Sequence, residues 1–284
     1  MLSFLTLDSA KKSLTTYASQ LPYLLLASML SLTMTAHAES VSNSEFPIAL
    51  TQTKDAATQY ARGLDYLQPE SFDADEAFKS ITLAAQQQHT DAMHLLGIMY
   101  FNGIGTQFDL NQAIYWMEKA ASQQDTKSIQ RLAVFQELQN HVPAAILTQW
   151  DIVVRNTIGE IMLKALQGDA DAQAQLGSMY YSGYLDFSTE SFPVDKAQSA
   201  YWRRKAADQG NIESLLGEGE VHYKQYLEHK NIQDLKQAIK WTRAAVAVTL
   251  PANMSSESLP FISRQRAVQL LPQFEQELKQ AQQK

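Results

Sequence analysis

Chemistry in a protein starts from a nucleophile, a base or a metal ligand, and this chain offers few of each. Beyond residue 38 the histidines are His89, His94, His141, His222 and His229, with no H-E-x-x-H and no two histidines four apart. Glu218, Glu220 and His222 are the nearest approach to a ligand cluster, because Glu218 and His222 share one helix face. Two potential ligands without a third describe a solvated face better than a zinc site, so no metal is expected. No G-x-S-x-G elbow occurs, and no S-x-x-K is followed by a partner motif. Gly103-Ile-Gly105 resembles a fragment of a dinucleotide loop, but it joins helix to helix with no strand before it. The expectation is a protein without catalytic residues and without a cofactor.

The elements around those residues are better defined. From Asp91 to Tyr100, Leu95, Leu96, Met99 and Tyr100 recur at the spacing of one helical face. Gly97 leaves that face bare for close approach, and Gly103 and Gly105 stand where the chain must reverse through positive φ. Asp109 then stands as an N-cap, and Ala113, Trp116, Ala120 and Ala121 form the buried stripe of a second helix. A helix pair of this size cannot bury its face alone and needs copies beside it. The copies exist. Ala56, Asp73, Ala77, Ala84 and Ala85 lie 36 positions before Ala92, Asp109, Ala113, Ala120 and Ala121. Leu176-Gly177, Tyr180, Gly183, Asp195, Trp202 and Ala206-Ala207 restate the unit with six extra residues, and Leu216-Gly217, Asp234, Ala238, Trp241 and Ala244-Ala245 restate it again. The aromatics at repeat spacing (Tyr100, Trp116, Tyr180, Trp202, Trp241) are read as core.

In these residues the chain resembles the Sel-one-like repeat family, helical relatives of the tetratricopeptide repeats. The match is fullest from Leu96-Gly97 through Lys119-Ala120-Ala121 and good from Leu176-Gly177 to Gly210, where Leu185 and Ser199 replace the expected Gly and Ala. The copies near Ala56 and Ile212 are looser, and one between Ser128 and Gly168 is looser still. The resemblance implies an all-α, right-handed superhelical solenoid of antiparallel helix pairs over residues 55–248 and a role in holding other proteins. It implies no reaction.

The ends read differently. Lys11-Lys12, the apolar Leu21–Met34 run and Ala36-His-Ala38 have the form of a cleavable export signal over residues 1–38, with an uncleaved inner-membrane anchor as the alternative. Residues 39–54 read as a flexible arm, and residues 249–284 as a loop and a C-terminal capping helix from about Pro260. Pro143 is expected to open a helix carrying Ile146, Trp150, Val153, Val154, Ile158, Ile161, Met162 and Ala165 as buried positions. Losing Asp8, Lys11 and Lys12 with the signal takes the formal charge from −7 to −8, which gives no footing for nucleic acid or an anionic membrane surface. Without cysteine, the fold rests on packing alone.

The expected partner is another protein or peptide. The six-residue insertion brings Tyr184, Phe187 and Phe192 together, and these aromatics either present themselves to the partner or tuck onto the repeat. A groove made acidic by the net charge is a second candidate surface. The leading functional reading is an exported periplasmic scaffold. An immunity protein that neutralises a toxic secreted effector such as a phospholipase is the alternative, and a cell-wall hydrolase or penicillin-recognising enzyme is the third.

Overall fold

A computed structural model of the chain describes residues 55–185 and 188–283. The export signal, the arm at 39–54 and Phe187 lie outside the described residues. The architecture is an all-α solenoid of helix pairs: α1 (Ala56–Asp65) with α2 (Ala74–Gln86), α3 (Thr90–Asn102) with α4 (Leu110–Ser122), then α5 (Thr126–His141), a one-turn α6 (Ala144–Leu147) and α7 (Ile152–Leu166), followed by α8 (Ala170–Ser182) with α9 (Lys196–Asp208), α10 (Ile212–His229) with α11 (Ile232–Ala247), and α12 (Leu259–Gln282). Between α8 and α9 lies an antiparallel hairpin of β1 (Tyr184–Leu185) and β2 (Ser188–Ser191). Two compact units emerge, one of residues up to Gln136 with Trp150–Asn156, the other of Glu137–Gln149 with residues from Thr157 onward.

In the first unit every helix of the pairs is capped by a side chain. Asp55 accepts from Thr58 N (2.9 Å), Asp73 from Glu76 N (3.1 Å), His89 Nδ1 from Ala92 N (3.3 Å) and Asp109 from Gln112 N (3.0 Å). These caps satisfy amide groups that no helical carbonyl can reach. A glycine follows the cap of each first helix by eight residues, Gly63 after Asp55 and Gly97 after His89. A Cβ on Gly97 would stand 3.1 Å from Ala113 O and 3.0 Å from Met117 Cε, which is how closely α3 and α4 approach. The caps also correct the register of the first copy. α1 starts 34 residues before α3, not 36, and the interval of 36 holds only for α2 against α4.

Leu96, Met99, Ala113, Met117 and Ala120 are sealed from solvent, together with Ala77, Ile81 and Ala84 of the first pair. Trp116 and Tyr100 are half-buried against this cluster instead of lying within it. The inward stripe of α4 is 113, 117, 120, so Met117 fills the space over Gly97 and the indole covers its shoulder. Gly103 ends α3 at φ +70°, and Gly105 follows at φ +64° with Ala74 O pressed against the place of its missing Cβ. Asp109 N then donates to Tyr100 O at 3.0 Å and closes the turn.

The middle departs from expectation. Pro143 opens only the single turn α6, and the chain breaks at Trp150, which is nonetheless buried. A new helix starts at Ile152 because Asp151 caps Val154 N at 2.8 Å. Val154, Ile158, Ile161, Met162 and Ala165 are buried as expected, whereas Ile146 and Val153 are only partly covered.

In the second unit Asp169, Asp195, Asn211 and Asn231 cap α8 to α11. Gly177 lies eight residues after Asp169 and Gly219 eight after Asn211. Gly219, not Gly217, therefore occupies the place of Gly97; a Cβ there would overlap Thr242 Oγ1 and stand 3.3 Å from Ala238 O. Matching Leu216-Gly217 to Leu96-Gly97 was two residues out of step, because Leu-Gly is a poorer marker than the distance from the cap. α11 likewise begins one turn early at Asn231, leaving Asp234 inside its first turn. Tyr180, Trp202 and Trp241 are buried, and Gly183 ends α8 at φ +74°. α12 lies against α10 and α11 through Ala267 and Phe274, whose ring stacks on Tyr223 at 4.1 Å. Arg266–Glu220 (2.7 Å) and Arg243–Glu275 (2.6 Å) pair across the same contact, and Arg264 Nε donates to Val246 O and Val248 O.

Candidate partner-binding surface

The second helix of a pair turns one residue inward and its neighbour outward by about 100°. On α4 this sets Tyr115 beside Trp116 edge-on at 5.1 Å, with Tyr115 46% exposed and Lys119 Nζ 5.0 Å above its ring. On α9 the same arrangement returns: Tyr201 meets Trp202 edge-on at 5.0 Å and carries Lys205 Nζ at 4.7 Å. In each case a tryptophan, half-buried on α4 and buried on α9, flanks the ring, and the ammonium group lies over it. In the first unit Tyr115, Trp116 and Lys119 line a cleft of about 390 Å³ with Gln88, Met93 and Gln123. Gln123 Nε2 donates to Gln88 O at 3.3 Å, and Gln123 also bonds the Thr90 hydroxyl.

The insertion splits its three aromatics. Phe192 is 3% exposed and packs edge-on against Tyr180 at 4.8 Å, with Leu185 buried beside the turn. Of the two alternatives for Phe192, the ring takes the second and tucks onto its own repeat, so it is removed from the candidate partner-binding residues. Tyr184 is 75% exposed at the start of β1. Phe187 lies outside the described residues. Phe192 N donates to Gly183 O and Asp195 N to Tyr180 O, both at 2.9 Å, so the hairpin is an excursion from a turn closed as in the second pair. Near its foot stands Tyr181, 56% exposed, with Lys196 Nζ 3.7 Å above the ring and donating to Tyr181 O at 2.6 Å.

The polar residues singled out by their types are occupied structurally. Glu218 is buried where Leu96 and Leu176 stand in the other pairs, and its carboxylate pairs with Arg204, whose guanidinium lies 4.7 Å from the Trp241 ring centroid. Glu220 reaches Arg266 on α12, so Glu218 and Glu220 are engaged in different directions. Among the described residues no group of three His, Cys, Asp or Glu side chains could hold a metal ion. His94 donates through Nδ1 to Ser128 Oγ (2.8 Å), since the Ser128 hydroxyl itself donates to Asp125 (2.5 Å). Burial pulls the His94 imidazole down to about 4 even though Asp125 favours its charged form. Burial, with Asp171 nearby, pushes the Glu213 carboxyl up.

Tyr115, Tyr181 and Tyr201 escaped the reading of the sequence. The signal was present as a doubled Tyr-Trp-x-x-Lys at 115–119 and 201–205. Attention to the tryptophan as core concealed that its neighbour must face out.

The family model of the Sel1 repeat matches residues 90–125, 170–211 and 232–247. The chain carries Sel1 repeats. The first two matched windows open at the first residues of α3 and α8, and the third spans α11. Chitin synthase regulatory factor 2 of Schizosaccharomyces pombe is 25% identical over 142 residues, which is 50% of this chain and 27% of that protein. A Sel1 repeat protein of Oxalobacter formigenes is 24% identical in sequence, with 76% of this chain and 56% of that one covered at a TM-score of 0.29. A protective antigen of uropathogenic Escherichia coli strains displaying an SLR fold is 21% identical, with 80% and 44% covered and a TM-score of 0.29. The chain thus spans about a quarter of the curated relative and about half of each of these two structures. Sel1 repeats are protein-interaction scaffolds, and among the described residues no helix is long and apolar enough to cross a membrane.

Proposed function

We propose that this Sel1-repeat chain is an exported, periplasmic scaffold that captures a protein partner on a tyrosine-bearing face of a helix pair and performs no catalysis. One observation carries the reading: Tyr115, Tyr181 and Tyr201 are each about half exposed, and each has a lysine ammonium over its ring. Binding energy concentrates in a few rigid aromatic anchors, and rings ordered beforehand lose little entropy on docking. Lys11-Lys12, the Leu21–Met34 run and Ala36-His-Ala38 support export. The test is an affinity pull-down from the native envelope with wild type and with Tyr115→Ser, Tyr181→Ser and Tyr201→Ser combined. Equal helicity by circular dichroism and loss of one reproducible partner support the reading; equal recovery of that partner refutes it. The identity of the partner decides the finer role, since a toxic secreted effector points to immunity and an envelope protein to scaffolding.

A further inference from the structure

Over Gly97 the packing is apolar: Met117 Cε and Cγ fill the space a Cβ would take. At the equivalent place in the second unit, over Gly177, stands Arg203. Its stem lies over one glycine and its guanidinium over a second, on neighbouring helices. A Cβ on Gly177 of α8 would come within 2.6 Å of Arg203 Cγ, and one on Gly217 of α10 would overlap Nη2. This gives Gly217 a reason to be glycine that the repeat register does not supply. The slot delivers the guanidinium to a cleft of about 240 Å³ lined by Ala174, Ser178, Tyr181, Glu213 and Ser214. Among the described residues Arg203 makes no hydrogen bond or ion pair, although the neighbouring Arg204 is paired with Glu218.

We propose that Arg203 receives a single aspartate or glutamate side chain of the protein partner, in the cleft between α8 and α10. The proposal rests on the reading of the chain as a protein-binding scaffold and names the chemistry of one contact. A guanidinium fixed at its stem offers parallel N–H donors that match a carboxylate. Glu213 in the cleft weighs against a multiply charged phosphate more than against a singly charged carboxylate. The cleft falls below the roughly 300 Å³ at which pockets begin to enclose a whole small molecule, and it suits one side chain of a polypeptide. Tyr181 on its wall supplies the aromatic contact beside the charge.

The substitution to make is Arg203→Met, because methionine already packs over Gly97 in the second pair and so preserves the helix contact. Random dodecapeptides displayed on phage are selected on the full-length chain, and the selected peptides are resynthesised with each Asp or Glu replaced by Asn or Gln. Selected peptides should share an acidic residue. Its amide replacement and Arg203→Met should each weaken binding by about tenfold, and together by no more than either alone. Peptides that bind wild type and Arg203→Met equally overturn the Arg203 contact and leave the scaffold reading standing. Selection without an acidic residue, or of nothing, also overturns it. Glutarate protection of the Arg203 cleft without peptide selection would assign the site to a small carboxylate instead. Partner recovery by a Tyr115→Ser, Tyr201→Ser double variant, neither of whose residues lines the Arg203 cleft, is read separately and bears on the scaffold alone.

Discussion

At the scale of the residue, two tryptophans that occupy one repeat position differ in what they hold. Trp202 is 1% exposed, whereas Trp116 is half-buried because Met117 takes the inward place. Trp202→Ala should therefore cost about 3–5 kcal/mol, the range for a large cavity, and Trp116→Ala distinctly less. Chemical denaturation of both variants checks this, and equal losses would mean that Trp116 is as deeply seated as Trp202. His94 gives a second expectation. Its folded pKa lies near 4 against an ordinary 6.5, so the unfolded chain binds the extra proton between those values. The stabilisation is whole above about 6.5 and drains away as pH falls towards 4, by on the order of 3 kcal/mol. His94→Gln should flatten this part of the curve of melting temperature against pH. A variant that loses stability over pH 6.5 to 4 as steeply as wild type would remove His94 as the cause.

At the scale of the element, the hairpin between α8 and α9 is partly structural. Leu185 and Phe192 are buried, so cutting the insertion back to the length of the Gly105–Asp109 connection removes core as well as loop. Such a deletion should lower stability, and Tyr184→Ser, which touches only an exposed ring, should leave melting unchanged within about 0.5 kcal/mol. Thermal melts of the two variants separate these outcomes, and a silent deletion would show that Phe192 contributes nothing to its repeat. The caps explain what the sequence allowed to be read. Asp109 and Asp195 announce their helices because a carboxylate before an alanine-rich stripe has few other uses. His89 and Asn231 cap equally well but are ambiguous letters, so the residue pattern alone places the start of α3 one residue late and that of α11 a turn late. The register of the last pair slipped because Gly217 and Gly219 are both present and only packing tells which faces α11. The exposed tyrosines were hidden for a related reason. Residue type marks an aromatic as buried, and only its angular position beside Trp116 or Trp202 marks it as presented.

At the scale of the whole molecule, the repeat spends its sequence on helix approach and turn closure and leaves loop length unspecified. Asp109 N to Tyr100 O and Asp195 N to Tyr180 O close equivalent turns, although six more residues lie inside the second. The bond fastens the neck of the loop, so the length of what lies beyond it can change without reopening the turn. Lengthening a loop whose ends are already tied costs only about 0.6 kcal/mol per doubling. The turn between Gly103 and Asp109 is thus a port. A foreign epitope or a pair of new chain termini placed at Gln107, the exposed residue of that turn, would be carried by the array as cargo; the second unit carries a longer hairpin behind the same bond, although there Leu185 and Phe192 have joined the core.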